Sequence, residues 1–84
     1  ARSASGADAL TRAEEYRLKK QLSSLERRMD TQRSKIEEHR ARMLEVDPTD
    51  YVGLEEQQAK INAAQDALDE LETEWLELSE RLGE

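Results

Sequence analysis

The sequence predicts an all-α fold, a two-helix antiparallel coiled-coil hairpin, from two hydrophobic ladders, the break between them and a helix-start motif. The first ladder runs Leu18, Leu22, Leu25, Met29, Gln32, Ile36, His39, Met43, Val46, and the second Leu54, Gln57, Ile61, Ala64, Leu68, Leu71, Trp75, Leu78, Leu82. Alternating spacings of three and four keep a narrow apolar seam facing a partner helix. A single break, Asp47-Pro48-Thr49-Asp50, divides two ladders of nine positions each, so the partner can be the chain itself.

Taken in order, residues 1–10 read as a flexible polar linker and 11–84 as the hairpin, with helix 1 over about 12–46, a turn at 47–50 and helix 2 over about 51–82. Thr11-Arg12-Ala13-Glu14 fits a capping box, in which Thr11 accepts from the backbone of Glu14 and Glu14 reaches back to Thr11. Pro48 disfavours helical geometry at Asp47, which ends helix 1 near Glu45 or Val46. Helix 2 has two open starts: Asp47 as cap with Pro48 in the first helical position and Val46 stapled to Tyr51, or Thr49 or Asp50 as cap. Gly83 stops it.

Laying one ladder on the other selects a register. One alignment stacks Val46 on Leu54, Ile36 on Ala64, Met29 on Leu71, Leu25 on Trp75, Leu22 on Leu78 and Leu18 on Leu82, all apolar on both sides. Sliding by one heptad sets Leu78 against Glu15 and Leu82 against Thr11, but improves the flanking charges by pairing Lys19 with Glu72 and Glu14 with Arg81. Exposed ion pairs contribute about 0.2–0.5 kcal/mol each, whereas burying a leucine contributes about 1.5–3 kcal/mol. Packing decides for the first alignment, with Glu26 near Glu72 and helix 2 starting near Asp50.

Composition excludes several function classes. With 84 residues, 36% of them hydrophobic and 39% charged, the chain fills a seam and not a deep core. It has no cysteine for a disulfide frame or thiolate metal site, no run of apolar residues long enough to span a membrane, and no hydrophobic signal core at Ala1–Asp8. The opening segment lacks an initiator Met and reads as cut from a longer cytoplasmic protein. Gly6, Gly53 and Gly83 are isolated, so no phosphate-cradling loop is formed. His39, the only histidine, reads as a polar seam layer. Gln32 and Gln57 read as register-setting seam residues and Trp75 as the largest seam plug. The carboxylates of helix 2 lie on a convex surface that encloses no substrate, and no catalytic, cofactor or metal residue is assigned.

Charge is segregated along the chain. Residues 11–46 carry ten basic and seven acidic side chains, a local +3, and residues 50–84 carry two basic and eleven acidic, a local −9, within a net charge of −7. Arg12, Lys19, Arg28, Arg33, Lys35, Arg40 and Arg42 fall at e or g heptad positions beside the seam. Facing positions of helix 2 are mostly Gln58, Gln65, Ala67 and Ser79, which neutralise nothing. The acids Glu55, Glu56, Asp66, Asp69, Glu70, Glu77 and Glu80 lie at b, c and f. This leaves a basic flank beside an acidic back. Its role is either solvation of a coiled coil or contact with nucleic-acid phosphates through Arg12, Arg17, Lys19, Lys20, Arg27, Arg28, Arg33 and Lys35. Tyr16, Tyr51 and Trp75 are the only aromatics, so contact would follow shape and backbone without reading bases. An open two-helix hairpin can also pair with a second copy as a homodimer.

Three segments carry a family resemblance: Leu10-Thr11-Arg12-Ala13-Glu14-Glu15-Tyr16-Arg17-Leu18, the hinge Asp47-Pro48-Thr49-Asp50-Tyr51, and Glu74-Trp75-Leu76-Glu77-Leu78. Over residues 9–84 the chain resembles the C-terminal coiled-coil domain of ABC-F ATPases, most of all the Uup type in its actinobacterial form. The resemblance implies a parent with two ATP-binding cassettes in tandem, holding ATP and Mg, and no transmembrane domain. The hairpin would follow the second cassette through a linker like residues 1–9. It implies partners of two kinds, the cassettes in cis and a nucleic acid, which is DNA for Uup-type proteins or ribosomal RNA for the translation-factor branch. The acidic second helix confines any such contact to helix 1.

Overall fold

The computed structural model describes residues 10–83; Ala1–Ala9, the bulk of the expected linker, and Glu84 lie outside the described residues. Two helices, α1 (Arg12–Glu45) and α2 (Tyr51–Arg81), account for nearly all of the rest. Rising residue numbers on α1 meet falling numbers on α2: Glu26 with Trp75, Arg33 with Glu72, His39 with Gln57. The chain is therefore an antiparallel helical hairpin, and α1, at 34 residues, is about 51 Å long.

Local chemistry sets each end of the helices. The capping box of α1 is complete: Glu14 N–H donates to Thr11 Oγ1 at 3.0 Å, and Thr11 N–H donates to Glu14 Oε1 at 2.9 Å. Donation from the Thr11 N–H, with smaller help from the Thr11 hydroxyl and from Arg17 and Arg81, holds the Glu14 carboxyl below its ordinary pKa. α1 ends at Glu45, where Val46 turns extended and its N–H donates to the Met43 carbonyl. In the turn, Asp47 Oδ1 accepts from Thr49 N–H at 2.9 Å and from Thr49 Oγ1 at 2.8 Å. That pair of donors holds the Asp47 carboxyl low as well.

Of the two starts open for the second helix, the structure has the later one. Asp50 is the N-cap and accepts from Gly53 N–H at 3.0 Å. Tyr51 is exposed and makes no staple with Val46, which reaches Gly53 instead. The third position of α2 needs a glycine because a Cβ there would lie 2.5 Å from Asp50 Oδ2 and 3.2 Å from Val46 Cγ1. At the other end Leu82 caps α2, and Gly83 takes the positive φ of 86° that closes it.

All eighteen ladder positions are buried or half-buried. Leu18, Leu25, Met29 and Ile36 of α1 and Ile61, Ala64 and Leu68 of α2 form the buried seam. Met43, Leu71 and Trp75 pack on its centre. Its most enclosed member, Leu25, still keeps 4% of its surface, as expected of a core one layer thick. Trp75 beside Glu26 and Met29, and Leu25 beside Leu78, belong to the register chosen by packing; the one-heptad slide would move Trp75 up against Leu18. Two details differ from expectation. Trp75 packs against the seam half-buried, and its Nε1–H donates to Glu26 at 3.1 Å, a polar partner the heptad reading did not include. His39 and Gln57, expected opposite Ile61 and Met43, lean along the seam and bond each other at 3.2 Å, which satisfies both polar groups at once.

Two predictions follow from the turn chemistry. A helical glycine replaced by alanine normally gains about 1 kcal/mol, yet Gly53→Ala should lower the melting temperature by displacing the Asp50 cap. In an Asp50→Ala background the same change should cost less, and a double-mutant cycle in thermal circular dichroism reads the coupling. Asp47 has a folded pKa below its ordinary 3.8, so its contribution is complete above that value and vanishes as pH falls through the folded pKa. The melting-temperature gap between wild type and Asp47→Ala should be widest near pH 7 and close toward pH 2.

Candidate nucleic-acid interface

The outer surface of α1 is built by helical spacing. Tyr16, Lys20, Ser23 and Arg27 recur at intervals of three and four, which stacks them on one face pointing away from the seam. Lys20 Nζ sits 5.4 Å from the centre of the Tyr16 ring, and the ring is 63% exposed. With Lys19 these four residues line an open depression of about 310 Å³. A planar ring with one face held by a cation and three positive side chains around it suits an anion with an attached flat or apolar group.

The eight basic residues expected to act together divide into groups. Lys19, Lys20 and Arg27 are brought together around Tyr16. Arg17 lies at the open end of the hairpin beside Leu10, Glu14 and Arg81. Arg28 falls on the opposite flank of the seam, over Glu70, Glu74 and Glu77 of α2. Arg33 is drawn to Asp30 at 3.0 Å and across to Glu72 at 3.9 Å. Arg12 and Lys35 are exposed and join none of these groups. The division has a geometric cause: e and g positions lie on opposite sides of a seam, so a basic pattern at both makes two flanks and not one ridge.

Two acids modify the expected charge pattern. Glu72 occupies an e position of α2 and reaches Arg33, an inter-helix pair that the neutral Gln58, Gln65 and Ser79 at the other e positions do not offer. Glu26 accepts from the Trp75 indole at 3.1 Å. Arg42 pairs within α1 with Glu38 at 2.8 Å. Lys19, Lys20 and Arg27 take part in no ion pair among the described residues. Tyr16 and Ser23 are the members of the depression that reading for charge alone passes over; their four- and seven-residue spacing from Lys20 and Tyr16 was the available signal.

Other chemistries find no seat among the described residues. No cluster of His, Asp and Glu is arranged to hold a metal ion, and no helix is long and apolar enough to cross a membrane. Gly53 and Gly83 serve a cap and a helix end, so neither contributes to a phosphate-cradling loop. A resident nucleotide with its magnesium does not fit this set of residues.

Comparison with known proteins gives one finding. A family model described as ABC transporter C-terminal domain matches residues 13–80, which covers both helices and the turn. No curated protein matches the chain. Nor does any solved structure.

The charge groups make a prediction about stability. An exposed pair at 3.9 Å contributes about 0–1 kcal/mol at most, so Glu72→Gln should shift the unfolding free energy by less than about 0.5 kcal/mol in urea titration. A larger loss would mean that the cations of α1 are held by internal pairing.

Proposed function

The chain belongs to the ABC transporter C-terminal domain family, and from that membership we propose that it works as the nucleic-acid-docking arm of an ABC-F ATPase of the Uup type. As a small helical C-terminal domain of an ABC-type protein it is a non-catalytic arm. The proposed parent carries two cassettes in tandem, which bind ATP and Mg and adjoin the arm in cis, and it acts in the cytoplasm. The arm contributes no reacting group. It contributes position, by laying one cationic face against DNA or ribosomal RNA.

The observation that carries this reading is the grouping of Lys19, Lys20 and Arg27 around Tyr16, with no ion pair to any of the three among the described residues. Cations held by internal carboxylates would have to break those pairs before meeting phosphate. Here the counterions are mobile, and their release drives association. Arg17 lies at the open end beside Glu14 and Arg81, on the flank of Arg28, and contributes less. Arg12, an e position like Lys19, adds charge at the margin of the cationic face, whereas Lys35 lies on the opposite flank and Arg28 and Arg33 stand close to acids of α2, so these three contribute less. The acidic α2 turns its b, c and f positions away, so a polyanion approaches from the α1 side alone.

A second reading is supported by a different observation. Leu76 is 56% exposed on the acidic back of α2, where a protein partner or a second copy of the hairpin could cover it. Sedimentation across a range of concentrations separates the two, since docking on nucleic acid requires no self-association and a homodimer does.

The test is fluorescence-anisotropy titration of the chain with duplex DNA, branched DNA and a structured RNA at low salt. Affinity should fall linearly on a log–log plot as salt rises, with a slope near 0.9 per phosphate contacted on a duplex. Lys19→Glu/Lys20→Glu should weaken binding at least about tenfold and flatten that slope, and Arg27→Glu should do so by a smaller factor. Absence of binding to all three probes at low salt would remove the reading.

A further inference from the structure

Three of the large apolar residues most exposed to solvent sit at the turn end of the hairpin. Leu44 is 87% exposed, Tyr51 73% and Val52 68%. Leu44 stands at a b position of α1 and Tyr51 at an e position of α2, the side of the seam on which Arg33 meets Glu72. Nothing in the fold uses them: the seam near the turn is made by Met43, Val46 and Leu54. Exposed leucine, tyrosine and valine at a rod's tip carry a solubility cost that a purely structural turn avoids.

The surroundings of this tip are of one sign. From Leu44 to Glu56 the chain has five carboxylates, Glu45, Asp47, Asp50, Glu55 and Glu56, and no lysine or arginine. Two of the five are fixed in place, Asp47 by Thr49 and Asp50 by Gly53 N–H. The nearest arginine in sequence, Arg42, is held by Glu38 at 2.8 Å. An apolar knob with an ordered acidic collar has a definite complement.

We propose that the turn end of the hairpin is a docking knob for a protein whose surface offers an apolar pocket rimmed by lysine or arginine. Tyr51 and Leu44 enter the pocket, Val52 packs at its edge, and the carboxylates meet the basic rim. Charge selects this occupant over the others. A second copy would set five carboxylates against five more, and a nucleic acid or an anionic lipid surface would be repelled by the same collar. The knob lies about 36 Å along α1 from Lys20, at 1.5 Å per residue, so it is separate from the cationic face. It stands independently of the nucleic-acid reading.

Amide chemical shifts of the whole 84-residue chain, titrated with an amphipathic helical peptide built of lysine and leucine, read the site directly. Shifts should concentrate at residues 44–56, and Tyr51→Ser should weaken the peptide at least about tenfold. Tyr51→Ser/Val52→Ser should abolish the response while leaving the far-ultraviolet dichroism unchanged, since both side chains face solvent. Lys19→Glu/Lys20→Glu should leave peptide affinity unaltered, which keeps this outcome distinct from that of the cationic face. The proposal is overturned if shifts run evenly along Asp66, Asp69, Glu70, Glu77 and Glu80, or if Tyr51→Ser has no effect. Tip-dependent self-association in sedimentation, or tip-dependent binding to anionic phospholipid vesicles, would overturn it as well.

Discussion

A single seam, one layer deep, holds the hairpin together, and its register decides what every other side chain can meet. Two helices sharing seven buried residues have no second core to fall back on. The apolar layers must therefore align along their whole length, because each misplaced leucine costs more than any exposed ion pair returns. Once that alignment is set, the flanking charges have no say in it. Lys19 is kept away from Glu72, which meets Arg33 instead. Lys19, which flanks the seam, is left beside the outward-facing Lys20 and Arg27 by a packing decision made inside the molecule.

Polar chemistry is placed where it guards that alignment. His39 and Gln57 bond each other within the seam, and such a pair is satisfied in one register and broken in its neighbours. Glu26 receives the Trp75 indole across the helices near the open end. At the closed end Asp47 accepts from Thr49 N–H within the turn and Asp50 from Gly53 N–H in α2, so hydrogen bonds fix the reversal beside the last seam residues Val46 and Leu54. That division frees Leu44, Tyr51 and Val52 from any structural duty. The rod then presents cations on one side of α1 and an acid-collared apolar tip at its far end, and the two can engage different partners at once.

Much of the fold was legible in the sequence for simple reasons. A 3-4 ladder has one geometric reading, and all eighteen ladder positions turn inward. Thr11 with Glu14 and the glycine at 83 are local signals that need no knowledge of the tertiary structure. The start of α2 was open because Asp47 and Asp50 are both competent caps; the structure uses both, one for the turn and one for the helix. Trp75 packs against the seam as its heptad position indicates, while the hydrogen bond of its indole to Glu26 is a detail no heptad letter carries. The basic surface was legible as composition and not as geometry. Counting the e and g residues together makes one flank of them, although the two letters lie on opposite sides of a seam and so already part Arg28 from Arg33. Tyr16 was overlooked because the count of aromatics hid its spacing from Lys20.

The register is the claim on which the rest of the account depends, and cross-linking tests it most directly. A Leu25→Cys/Trp75→Cys variant should form an intramolecular disulfide efficiently under mild oxidation, while Leu18→Cys/Trp75→Cys should not. Efficient linking of 18 to 75 with little of 25 to 75 would contradict the account, because that slide brings Lys19 to Glu72 and takes it out of the free cationic face.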